Sequence, residues 1–137
     1  MKKVITVISV AIVLFLAFWW GSHQESSNGL IVINYPQEGD EISSPLVVKG
    51  EARGTWFFEG DFPVVVVDWD GLIIGEGYAT TKENWMTEDF VEFEGIIEFT
   101  REESSMYRDN GAVIFQKDNP SGLPENDDAR EIPIVFK

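Results

Sequence analysis

The chain has 137 residues, with 24 acidic against 10 basic side chains and a formal net charge of −14. That length holds one domain with a sizeable core, not two. The charge opposes binding to nucleic-acid phosphates and anionic headgroups, and the absence of cysteine removes disulfides, thiolate metal sites, thiol nucleophiles and a lipid-modified cysteine.

Residues 4–20 form an apolar run broken only by Thr6 and Ser9. About 17 residues at 1.5 Å each span roughly 25 Å, enough to cross a hydrocarbon core. Lys2 and Lys3 set the N-terminus on the cytoplasmic side, and Trp19-Trp20 suits an interfacial aromatic belt. A cleaved signal peptide needs small side chains at alternate positions before the cut. Here tryptophans stand there. Residues 1–21 are therefore read as an uncleaved single-pass anchor in the cell membrane, with the rest extracytoplasmic. The alternative is a signal sequence and a secreted domain. Residues 22–29 are polar and read as a linker. They hold His23, the single histidine, which without a second histidine or a cysteine makes no zinc site.

Beyond the linker, strand patterns recur every eight to twelve residues, the spacing of an all-β sandwich. Residues 30–35 form the first strand, stopped by Pro36 and the turn residues Glu38-Gly39-Asp40. Residues 46–52 alternate, with Leu46, Val48 and Gly50 against Val47, Lys49 and Glu51. Then comes the densest apolar stretch of the domain, Trp56-Phe57-Phe58-Glu59-Gly60, followed by Pro63 and four valines, Val64 to Val67. β-branched residues are stiff and fit a pleated strand, and a run apolar at every position should be covered on both faces. Asp70-Gly71 signals a hairpin, and Gly75 and Gly77 suggest a bulge in the returning strand. Residues 79–89 are polar apart from Trp85-Met86, a pair placed to plug one end of the core. Residues 90–100 alternate as a half-buried antiparallel strand. Residues 112–117 and 130–136 supply two more, and Pro133 assigns the last to an edge or a bulge. About seven strands result.

Four segments together resemble the immunoglobulin-like domain of bacterial spore germination proteins. They are Gly50-Glu51-Ala52-Arg53-Gly54-Thr55-Trp56-Phe57-Phe58-Glu59, Trp85-Met86-Thr87, Lys117-Asp118-Asn119-Pro120-Ser121-Gly122-Leu123-Pro124-Glu125 and Ile132-Pro133-Ile134. The resemblance spans residues 30–137. It implies an immunoglobulin-like antiparallel β-sandwich, a place in the cell envelope, and binding rather than catalysis.

Catalytic chemistry needs carboxylates held in a cleft with separated pKa values. Asp68/Asp70 and Glu59/Asp61 have the spacing, but Asp70 belongs to a hairpin turn, Gly60 makes the Glu59–Asp61 stretch irregular, and such pairs arise by chance in so acidic a chain. No catalytic residue is assigned. An envelope hydrolase using paired carboxylates and a structural spacer stand as the contrasting readings. Residues 118–128 offer hard oxygens from Asp118, Asn119, Glu125, Asp127 and Asp128 but lack EF-hand spacing, so no metal and no cofactor is assigned.

If residues 56–59 form a strand, Trp56 and Phe58 face the core while Phe57 and Glu59 face outward. Arg53 is then placed to pair with a partly buried Glu59. The binding residues expected on this basis are Phe57, Glu59, Trp85, Met86 and Asp89, an apolar patch with an acidic rim. The expected partner is an envelope protein or cell-wall component, not nucleic acid.

Overall fold

The computed structural model describes residues 29–137. The anchor expected at residues 1–21, and all but the last residue of the linker, lie outside the described residues. Among the described residues no helix is long and apolar enough to cross a membrane.

Among the described residues eight strands follow one another: β1 (Ile31–Tyr35), β2 (Glu41–Ile42), β3 (Leu46–Arg53), β4 (Asp61–Val67), β5 (Ile73–Thr80), β6 (Phe90–Ile97), β7 (Asn110–Gln116) and β8 (Ala129–Phe136). Short 3-10 turns interrupt them at Gly54–Trp56, Glu103–Tyr107 and Pro124–Asn126. The expected seven strands become eight because β2 exists. Two residues carry no readable alternation, and β2 owes its place to parallel pairing of Glu41 with Val135 and Ile42 with Phe136.

The strands form one hydrogen-bonded sheet in the order β1-β3-β6-β5-β4-β7-β8-β2. This corrects the picture of two separate layers: the sheet curls over on itself as a half-barrel, and its two halves enclose one core. β5 and β6 join the halves through Ala79–Gly95 and Thr80–Glu94. Gly95 permits the junction, because a β-carbon there would lie 2.5 Å from the Tyr78 carbonyl oxygen.

Strict alternation builds the core from β3 and β6. Leu46, Val48 and Ala52 are buried along β3, and Val91, Phe93 and Ile97 along β6. Rings then bridge the halves. Phe62 of β4 meets Phe93 of β6 edge-on at 4.9 Å between centroids, and Phe93 meets Phe115 of β7 at 5.9 Å. β6 and β7 are not neighbours in the sheet, so these contacts hold the curl closed. Each such ring pair adds about 0.5–1.5 kcal/mol beyond the area it buries.

The four valines of β4 are all buried. Val64 and Val66 belong to the main core, whereas Val65 and Val67 pack on the opposite face with Ala112 and Ile114 of β7. The expectation of a strand covered on both faces holds. The expected bulge is also present: Val66 pairs with Gly75 but Val67 with Ile73, leaving Ile74 as the extra residue. Pro133 lies opposite Ala112 in β8, and its carbonyl accepts a bond from the Gly39 amide. A strand residue's N and O point the same way, so the missing N–H faces the thinly covered margin, where proline is tolerated.

Candidate functional site

Three connecting segments meet at one end of the domain: residues 54–60, residues 81–89 and residues 117–128. The Gly54 amide donates to the Asp89 carbonyl at 3.1 Å, and the Thr81 amide donates to the Gly60 carbonyl at 2.9 Å. The Asp118 amide donates to the Trp56 carbonyl at 3.1 Å. Gly54 is buried under the 85–87 backbone, and any β-carbon there would run into the Trp85 and Thr87 carbonyls. Three of the four motif segments named above, distant in sequence, thus come together here.

The aromatic triplet does not form a strand. Gly54–Trp56 is a 3-10 turn, with three residues per revolution rather than two. Trp56 and Phe57 therefore both turn inward. Trp56 is fully buried and Phe57 is 5% exposed, and both pack edge-on against Phe62. Phe58 is 42% exposed. This corrects the facing expected from strand alternation: Phe57 belongs to the core, and Phe58 is the ring offered to solvent.

Glu59 and Gly60 are the two central residues of a tight hairpin. Phe58 and Asp61 exchange backbone bonds at 2.9 and 3.2 Å. Both central residues have positive φ, 52° at Glu59 and 83° at Gly60, the signature of a type I′ turn. The Glu59 side chain consequently projects into solvent and is neither buried nor paired with Arg53. The Arg53 guanidinium instead lies 4.2 Å above the Phe90 ring centroid, and its Nη1 donates to the Glu88 carbonyl at 3.2 Å.

Trp85 is half-buried, its ring against Gly60 and the core. It plugs the end of the domain as expected, whereas its neighbour Met86 is 75% exposed. Asp89 is exposed. Of the five expected binding residues, then, Glu59, Trp85, Met86 and Asp89 share this end with surface to offer, and Phe57 does not. Sequence reasoning missed Phe58 and Leu123, which are also exposed here. The signal for Phe58 was Glu59-Gly60 itself, a two-residue turn hidden by a glutamate in place of the usual asparagine or aspartate.

Carboxylates surround these apolar groups. The pKa of Asp118 is raised from the ordinary aspartate value, first by burial and then by the negative charge of Asp61, with Glu59 adding to it and a backbone bond at Asn119 opposing. The 117–128 loop spends several of its polar groups on itself. The Asn119 amide donates to the Leu123 carbonyl and to Asp127 Oδ1, at 2.8 and 2.7 Å, and Asn126 donates to Ser121 Oγ at 3.0 Å. Among the described residues no group of three or more histidine, cysteine, aspartate or glutamate side chains is arranged to hold a metal ion.

The carboxylate pairs with catalytic spacing do other work. Asp68 is buried at the β4–β5 hairpin, and its Oδ1 accepts from the Asp70 and Leu72 amides, both at 2.9 Å. It shapes the turn, leaving Asp70 exposed at the tip. Glu59 and Asp61 flank Gly60 in the other hairpin, where the negative charge of each acts on Asp118.

An all-β sheet curled around a ring-bridged core, with three of its connecting segments gathered at one end, defines an immunoglobulin-like module. The chain belongs to the family described as the immunoglobulin-like domain of bacterial spore germination, whose family model matches residues 30–120. That match contains the Gly50–Glu59 and Trp85–Thr87 motifs and the start of the third, and ends before Ile132-Pro133-Ile134. No curated protein and no solved structure matches the chain.

Proposed function

We propose that this chain is a membrane-anchored, non-catalytic binding module of the bacterial cell envelope. Its partner is an envelope protein presenting a cationic or amphipathic surface to the loop end. The family supports a binding or structural role rather than a reaction. One observation carries the reading: the loop end exposes Phe58, Met86 and Leu123 beside Glu59, Asp89 and Asp127. Apolar groups supply contact area, and the surrounding carboxylates select a positive partner and speed its approach.

The path of the chain adds an orientation. β1 begins at this end, where the Leu30 carbonyl accepts from the Arg53 amide at 2.7 Å. If residues 1–21 cross the membrane, the linker at 22–29 extends at most about 3.3–3.6 Å per residue. The loop end would then stand within roughly 30 Å of the bilayer, with the β4–β5 hairpin at the opposite end of the domain. A membrane-bound partner is within reach of the first end.

The test is photo-crosslinking of the full chain in its native membranes. A crosslinking side chain replaces Met86 in one variant and Leu72, on the far hairpin, in another. The expected result is one defined envelope protein joined through position 86 and not through position 72. Its yield should drop when Phe58→Ala is added. Equal products from both positions, or a yield indifferent to Phe58→Ala, refutes the assignment.

A further inference from the structure

A second surface, separate from the loop end's apolar groups, lies on the outer face of the sheet where β3, β6 and β5 run side by side. It is an open groove of about 760 Å³, within the size range of small-ligand sites. Tyr78, Ile96, Lys49, Lys82, Glu92 and Glu94 supply its principal side chains.

Its composition differs from that of the surface around it. The domain is strongly acidic, yet Lys49 and Lys82 stand here against Glu83, Glu92 and Glu94, a nearly balanced set. A polyanion meets the three glutamates and a polycation the two lysines, so neither is favoured. Purely apolar ligands are disfavoured by the polar lining.

The arrangement is two-sided. Tyr78 precedes Ala79 and Ile96 follows Gly95, one step along the antiparallel strands from the Ala79–Gly95 pair, and they are 60% and 63% exposed. They form a flat apolar shelf. Beside it runs a polar row across three strands, Lys49–Glu94–Thr80, fixed by the β3–β6 and β6–β5 pairings. Lys49 sits directly across from Glu94, yet among the described residues the two make no ion pair, and the Tyr78 hydroxyl and the Glu92 carboxylate make no hydrogen bond. Donors and acceptors are thus left over beside an exposed ring. Because the row is carried on strands, its backbone spacing is preset, and binding need order only the side chains themselves.

We infer that this groove binds a neutral oligosaccharide. A pyranose ring has an apolar face of C–H groups and a rim of hydroxyls that both donate and accept. The C–H face matches the Tyr78–Ile96 shelf. The hydroxyl rim matches a row in which carboxylates accept and ammonium groups donate. This inference is independent of the loop-end partner, since Phe58, Met86 and Leu123 take no part in it.

The experiment uses the full chain in a detergent without a sugar headgroup. Linear tetrasaccharides of glucose and of N-acetylglucosamine are titrated separately, followed by ligand-observed NMR and calorimetry. At least one should bind, and Tyr78→Ala should weaken it by about tenfold or more. Tyr78 is largely exposed, so an unchanged circular dichroism spectrum is expected of that variant. Glu94→Gln, which keeps the side-chain shape, should weaken the same ligand several-fold. Absence of binding by both sugars at about 10 mM overturns the inference, as that limits any affinity to a physically negligible level. Binding unaffected by both substitutions, or displaced by oligolysine as efficiently as by sugar, overturns it equally.

Discussion

Alanine substitution along Trp56, Phe57 and Phe58 separates a 3-10 turn from a strand in one experiment. In a strand the first and third residues share a face, so Phe57→Ala would be mild and Phe58→Ala severe. The structure gives another pattern. Trp56 is fully buried and Phe57 nearly so, both edge-on to Phe62, while Phe58 is 42% exposed. Removing a buried Phe or Trp ring costs about 3–5 kcal/mol from lost transfer energy and the cavity left behind. Phe58→Ala should cost under about 1 kcal/mol, near the range of surface changes. One correction applies to Trp56. Its indole Nε1 is buried without a hydrogen-bond partner among the described residues. Trp56→Phe discards that unsatisfied donor, which by itself is a penalty of about 1–3 kcal/mol, and should therefore be much milder than Trp56→Ala. Urea unfolding of the full chain followed by circular dichroism reads all four variants. With a slope near 2 kcal/mol per molar, a loss of 3–5 kcal/mol lowers the midpoint by about 1.5–2.5 M. A normal midpoint for Phe57→Ala together with a lowered one for Phe58→Ala would refute the turn and restore the strand.

Two further outcomes follow from the carboxylates. Asp118 has its folded-state value raised above the 3.8 of an ordinary aspartate, by burial first and by Asp61 next. The folded state thus favours the protonated form. Its contribution to stability is full below 3.8 and is lost as pH rises through the folded value. Asp118→Asn should raise the melting temperature slightly at pH 7 and leave it unchanged near pH 3, and a destabilised variant at pH 7 would contradict this. Asp68 binds the Asp70 and Leu72 amides through one oxygen. Asp68→Ala should cost about 1–3 kcal/mol by stranding those donors, whereas Asp68→Asn retains a carbonyl acceptor and should cost clearly less. Equal losses in thermal unfolding would argue against the turn-capping role.

The correct and incorrect parts of the sequence reading divide by the range of the interaction involved. Alternation at Leu46, Val48 and Ala52, and at Val91, Phe93 and Ile97, identified which faces are buried, because side chains on a strand point alternately whatever the neighbouring strand is. The Val64–Val67 run announced a strand covered on both sides, and Asp70-Gly71 announced its hairpin. The Trp56–Phe58 facing failed for a definite reason. Aromatic residues are compatible with both a strand and a 3-10 turn, and the period was decided by Gly54, buried beneath the 85–87 backbone. That contact is invisible in the local pattern.

The sequence by itself determined an all-β domain, its main strands, the family, and the fact that an aromatic centre organises the core. These follow from period-two patterning, turn residues and motifs, all of which are local. Only the tertiary structure decided that one sheet curls into both halves, that β2 adds to β8, and that Phe58 rather than Phe57 meets solvent. It alone brought residues 54–60, 81–89 and 117–128 to one end and aligned Lys49, Glu94 and Thr80 across three strands. The reason is physical: register and curl are set by which backbone groups pair across long sequence separations, and by how closely glycines such as Gly54 and Gly95 let those backbones approach.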